Sequence, residues 1–165
     1  MIIYEDVFKA FQREKFDYVI VGGIALNLLG VSRATADLDL LIGIDPQTLR
    51  EADRILRSLG YRLKQPIDIK ALDPAALAAL IKQKNLKAIN YYQPGELKEI
   101  DIIVDSPVPF AEALKRARRV KVSGLALPVM GIDDLIAMKR ASARQIDTFD
   151  ILQLKKLKRI MKGKK

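Results

Sequence analysis

At 165 residues, half of them apolar and 30% charged, the chain is long enough for one packed core and too short for two ordinary domains. With no Cys and no His, it has no disulfide framework, thiol nucleophile, thiolate or imidazole zinc site, or Ser-His-Asp triad. Acid–base and metal chemistry fall to carboxylates, Lys, Tyr and hydroxyls, and carboxylates favour hard cations such as Mg²⁺ or Mn²⁺.

The start, MIIYEDVFKAF, has no basic segment followed by an apolar core and does not read as a secretory signal. No apolar run reaches the roughly 18 residues of a membrane span, so no membrane association is expected and the cytoplasm is the expected compartment. Residues 3–14 read as an amphipathic helix with Ile3, Val7, Phe8 and Phe11 on one face. Residues 18–21 are a short buried strand, ended by Gly22-Gly23, and residues 24–30 a helix closed by Gly30. A strand follows at 37–42, then a helix at 46–59 with Pro46 in its first turn and Gly60 beyond its end.

Residues 74–85 are a second Pro-initiated helix, and 86–92 and 98–105 pair as a hairpin around Gln93-Pro94-Gly95-Glu96. Residues 107–117 are helical, 119–129 form one or two short strands broken at Gly124, and 132–143 and 147–162 form a helical pair. The alternation is that of an α/β or α+β chain. A single domain over 1–165 is expected, with a core to about residue 130 and a helical appendage after it.

The chemistry concentrates between Asp17 and Ile44. A strand running through Gly22-Gly23 into a helix offers unpaired N–H groups and partial positive charge to an anion such as a triphosphate; the same turn is also common as a plain tight turn. Asp37 and Asp39 stand at i and i+2 among Leu38, Leu40, Leu41 and Ile42, which puts both carboxylates on one strand face. They repel each other there, and a divalent cation would relieve the repulsion; the alternative is the solvated face of an edge strand. Asp101, inside the apolar run Glu99–Val104, converges on them if the two strands share a sheet. Asp105 shares that face and reads as a turn residue before Ser106-Pro107.

This order of strand, Gly-Gly, helix, Asp-x-Asp and a later lone Asp resembles the nucleotidyltransferase superfamily typified by DNA polymerase beta. Gly22-Gly23-x-Ala25, Gly30 and Arg33-x-Thr35-x-Asp37-x-Asp39 are similar to its abortive-infection and toxin–antitoxin branch. The segment from Asp134 through Lys139, Arg144, Asp147 and Asp150 resembles that branch as well, with Ala143 where a Gly often precedes the Arg. Residues 45–97 match no motif.

The resemblance implies a polymerase-beta-like core with a mixed sheet flanked by helices and a C-terminal helical pair. It implies NMP transfer from an NTP to a hydroxyl on RNA, such as a tRNA end, or on protein, with release of pyrophosphate and a toxin–antitoxin or defence role. Asp37 and Asp39 would bind two Mg²⁺ (or Mn²⁺) ions and Asp101 the catalytic one. Gly22 and Gly23 would line the triphosphate, with Arg33, Thr35, Lys139 and Arg144 assisting. Asp147 would be an accessory acid or base, or a salt-bridge partner of Arg144, with Asp150 beside it; its local pattern favours an N-cap of the last helix instead, with Asp150 in the first turn. Lys139 reads otherwise as a solvated helix residue. The competing readings are a non-catalytic nucleotide- or RNA-binding regulatory module on the same scaffold, and an unrelated domain whose Asp residues are surface features.

The formal charge of +9 is uneven: residues 1–114 carry 14 Lys/Arg and 16 Asp/Glu, a net of −2, while 115–165 carry 15 and 4, a net of +11. Lys115, Arg116, Arg118, Arg119 and Lys121 form one basic cluster. Lys155, Lys156, Lys158, Arg159, Lys162, Lys164 and Lys165 form another, outside an apolar stripe of Ile151, Leu152, Leu154, Leu157, Ile160 and Met161. The C-terminal third is therefore suited to RNA or another polyanion, or serves as a solubilising surface. A cognate protein partner is a further expectation of the resemblance.

Overall fold

The computed structural model describes residues 3–142 and 144–164, so Ala143 and Lys165 lie outside the described residues. Among the described residues seven α-helices, α1 (Glu5–Glu14), α2 (Gly22–Leu28), α3 (Pro46–Ser58), α4 (Pro74–Lys82), α5 (Phe110–Arg116), α6 (Ile132–Ser142) and α7 (Gln145–Lys162), accompany one mixed sheet. Its strands are β1 (Val19–Val21), β2 (Leu38–Leu41), β3 (Arg62–Leu63), β4 (Ala88–Tyr92), β5 (Glu99–Ile103), β6 (Arg118–Val122) and β7 (Leu125–Val129), in the order β3-β4-β5-β2-β1-β7-β6. The expected fold class is observed. β2 runs parallel to β5 and β1 to β7, while the other pairs are antiparallel.

Local chemistry fixes the element ends. Asp45 and Asp73 cap α3 and α4, accepting from Thr48 N–H at 2.9 Å and Ala76 N–H at 2.7 Å, and each is followed by Pro at the first helical position. The expected single break at Gly124 is a turn through Ser123 and Gly124 in which both residues have positive φ. β3 and a 3-10 turn at Ile69–Ala71 were not anticipated: two residues are too few to show a period.

Strand parity sorts the sheet into two faces. Leu38, Leu40, Ile89, Tyr91, Ile100 and Ile102 are buried on one, where the Tyr91 hydroxyl donates to Asp53 of α3 at 2.7 Å. Asp39, Asn90 and Asp101 point to the other.

Three sequence expectations need correction. Ile3 is 57% exposed and does not join Val7, Phe8 and Phe11 in the core. The stripe on α7 buries only Leu154 completely; Leu152 is 60% exposed, and Ile160 and Met161 are exposed too. Finally, α7 begins at Gln145 with Arg144 as its N-cap residue. Asp147 is thus the third helical residue, and its carboxylate reaches back to accept from Arg144 N–H at 3.1 Å.

Candidate active site

The parallel pairing of β2 with β5 sets Asp39 directly beside Asp101, at the spacing of neighbouring strands, about 4.8 Å. A register slip of one residue would turn one of the two into the apolar layer. β1 ends alongside: Val21 pairs with Asp39, and Gly22 opens α2 with φ +67°. A side chain on Gly22 would overlap the Asp39 carboxylate, so both conformation and space require glycine there. Gly23 is similarly confined, because a Cβ would lie 2.5 Å from Arg33 Nη1 and 2.8 Å from Thr35 Oγ1. Gly22 is half-buried and lines the cleft below, whereas Gly23 is buried and does not.

Gly22, Asp39 and Asp101 line a cleft of about 650 Å³ together with Lys87, Asp105, Ser106, Lys139, Ser142, Arg144 and Asp147, whereas Gly23, Arg33 and Thr35 are not among its lining residues. That volume is suited to a nucleotide-sized ligand. Asp37, one residue before β2, is exposed and does not line the cleft, but its charge acts on Asp39. Burial first, then the Asp101 and Asp37 carboxylates, push Asp39 up to about 7, against the opposing charges of Lys139 and Arg144. Asp37 is itself raised by burial, by Asp101 and by Glu99.

Among the described residues no three acidic groups form a ready cage for a metal. The donor set nevertheless fits a hard divalent cation: two adjacent carboxylates with no ion pair among the described residues, and the charge of Asp37 acting on Asp39 from nearby.

The helical pair supplies the other wall. Lys139 is not on a solvated face. It is 6% exposed, with its ammonium 3.0 Å from Asp150 and 3.3 Å from Asp147. Asp150 is fully buried and also lies 3.2 Å from Arg33 Nε, so it bridges α7, α6 and the loop before β2. Arg144 is two-thirds exposed and lies 3.2 Å from Asp147. Burial raises Asp147, but hydrogen bonds from Ser142 and Arg144 and the charge of Lys139 outweigh it and hold the carboxyl below its ordinary value. A carboxylate held down in this way is a poor proton acceptor and suits an anchor.

Three residues the sequence did not single out support the carboxylates. The Tyr4 hydroxyl lies 2.6 Å from the Ala36 carbonyl and 2.8 Å from that of Glu99, and accepts from Glu99 N–H at 3.1 Å. It therefore ties the loop before Asp37 to the start of β5. Asn90 donates to Asp101 at 2.5 Å, and Gln65 contacts Asn90. Their partners are distant in sequence, and no local pattern marks them.

A family model described as "Nucleotidyl transferase of unknown function (DUF2204)" matches residues 2–165. Among solved structures, ANT(2'')-Ia in complex with adenylyl-2''-tobramycin is 15% identical with a TM-score of 0.60, over 92% of this chain and 84% of that one. The lincosamide antibiotic adenylyltransferase LnuA, lincomycin-bound, is 15% identical with a TM-score of 0.61, over 92% of this chain and 93% of that one. At these identities the two structures establish a shared fold. Among curated proteins, none matches the sequence.

Proposed function

The chain belongs to the nucleotidyl transferase family whose model spans residues 2–165, and we propose that within this activity it moves NMP from an NTP to a hydroxyl acceptor in the Asp39–Asp101 cleft. The acceptor oxygen bonds to the α-phosphorus, the bond to the bridging oxygen breaks, and pyrophosphate leaves with the electron pair. The hydroxyl's proton passes to water in the open cleft.

Asp39 and Asp101, with Asp37, would hold Mg²⁺ or Mn²⁺. When bound, such an ion lowers the pKa of the attacking hydroxyl and offsets charge on the phosphates. The protein's own part is placement. Gly22 lets phosphate oxygens approach the backbone at the start of α2. Lys139 and Arg144 bring positive charge to the cleft wall, Lys139 from a fixed position and Arg144 from an exposed one. Thr35 and Arg33 stand where a side chain on Gly23 would be, behind the glycine turn.

The observation that carries this reading is the register that sets Asp39 beside Asp101 next to a glycine that must be glycine. It also disfavours an unrelated domain whose Asp residues are scattered over the surface.

For the acceptor, the basic C-terminal third favours a polyanion, an RNA 3′ end. The alternative is a small molecule, as in the antibiotic adenylyltransferases of the same fold. Incubation with each α-labelled NTP and Mg²⁺ or Mn²⁺, in separate pools of tRNA, protein and aminoglycoside or lincosamide, tests both. Label on one pool that disappears with the Asp37→Ala/Asp39→Ala variant supports the site. Label that survives that variant refutes it. NTP binding without any pyrophosphate release would favour a regulatory module on this scaffold.

A further inference from the structure

Asn90 stands directly across from Asp101 on the antiparallel neighbour β4, and its amide nitrogen donates to Asp101 Oδ1 at 2.5 Å. An asparagine amide can present either its NH₂ or its oxygen, and only the NH₂ supports a carboxylate. What selects the orientation lies one residue further out. Gln65 accepts the Asn90 backbone N–H on its Oε1 at 2.9 Å and donates from its Nε2 to the Ala88 carbonyl at 3.0 Å. Those backbone partners are of opposite kind and cannot exchange roles, so only one orientation of the Gln65 amide satisfies both. In that orientation Nε2 also faces Asn90 Oδ1 and hydrogen-bonds to it. This fixes Asn90 with its NH₂ toward Asp101. A backbone bond from Lys64 N–H to the Asn90 carbonyl at 2.8 Å holds the two segments together.

We propose that Gln65 and Asn90 form an amide relay that orients the Asp101 carboxylate, Asn90 by direct contact and Gln65 through Asn90. Both are positioning residues. The relay uses neutral donors, so it directs Oδ1 of a residue that lines the cleft without placing a cation that would compete with a metal ion. Groups that orient a metal-binding carboxylate in this way commonly change cation affinity by about 10–100-fold when removed. The inference rests on the reading of Asp101 as a cation ligand.

Mn²⁺ binding to the intact protein, measured by calorimetry or electron paramagnetic resonance without nucleotide, tests the relay. Asn90→Leu and Gln65→Leu are each expected to weaken Mn²⁺ binding about tenfold. The double variant should bind no more weakly than Asn90→Leu alone, because Gln65 acts only through Asn90. A purely structural role would not produce that saturation. Gln65→Glu keeps the acceptor for Asn90 N–H but reverses the group facing Asn90 Oδ1; it should show the same loss, and it serves where the leucine variant does not fold. Wild-type Mn²⁺ affinity in the Gln65 variants, or losses that multiply in the double variant, would overturn the relay. Asp101→Asn separates the two readings. If it too binds Mn²⁺ like wild type, the cation role of Asp101 fails and the relay falls with it. If it loses binding while the Gln65 variants do not, only the relay fails.

Discussion

Asp39 shows how function and stability oppose each other at a single side chain. Its folded value of about 7 stands above the ordinary 3.8. Between those pH values the folded protein holds a proton that the unfolded chain releases, so this group's contribution is fully present below about pH 4 and lost as pH rises to about 7. Asp39→Asn is therefore expected to be more stable than wild type above pH 7, on the order of 4 kcal/mol, with the difference vanishing near pH 4. Thermal melts across that range measure it. The same variant should lose transfer activity by roughly 10²-fold or more, the scale of removing one preorganised electrostatic group. At Gly22, alanine has neither an easy φ nor room beside Asp39; Gly22→Ala should abolish transfer and lower the melting temperature. Tyr4→Phe should cost about 1 kcal/mol in denaturant titrations, since it removes a buried hydroxyl with partners in the loop before β2 and on β5.

At the scale of elements, what the sequence revealed depended on whether the signal was local. Helices α3 and α4 announced themselves by Asp-Pro starts, and the β4–β5 hairpin by Pro94-Gly95. The inward turn of Lys139, Asp147 and Asp150 was concealed because charged residues read as surface. A signal was nonetheless present. Lys139 continues the buried positions Ile132, Leu135 and Ile136 of α6, and Asp147 and Asp150 precede Leu154 on the buried face of α7. The relay residues Gln65 and Asn90 had no such signal, since they meet Asp101 only through the sheet order.

Lys139, Asp147 and Asp150 form a buried charge cluster between α6 and α7. Lys139→Met leaves Asp150 and Asp147 buried with less compensation and should cost about 3–5 kcal/mol. Lys139→Met combined with Asp150→Leu removes opposite charges together and should recover part of that loss. If the double variant is as unstable as the sum of the singles, the pair is not coupled.

Across the whole molecule, charge and chemistry are segregated. The carboxylates sit on the sheet of a near-neutral N-terminal portion, and the excess positive charge lies on β6, α7 and their surroundings. Lys155, Lys156 and Arg159 are all exposed. Replacing the three with Ala is expected to weaken RNA binding without changing sequence preference and to lower the slope of log affinity against log salt by about one per phosphate contact removed. An unchanged slope would assign this surface to solubility instead. No helix among the described residues is long and apolar enough to cross a membrane.

On the reading proposed above, the Asp39–Asp101 pair makes this cleft the place of nucleotidyl transfer. The most direct measurement is divalent-cation-dependent pyrophosphate release from NTP, with acceptor present, by the wild type and by folded Asp39→Asn and Asp101→Asn. Release by the wild type that falls at least about 10²-fold in each variant, with melting temperatures maintained, is the predicted result. Release at the wild-type rate in either variant would contradict it.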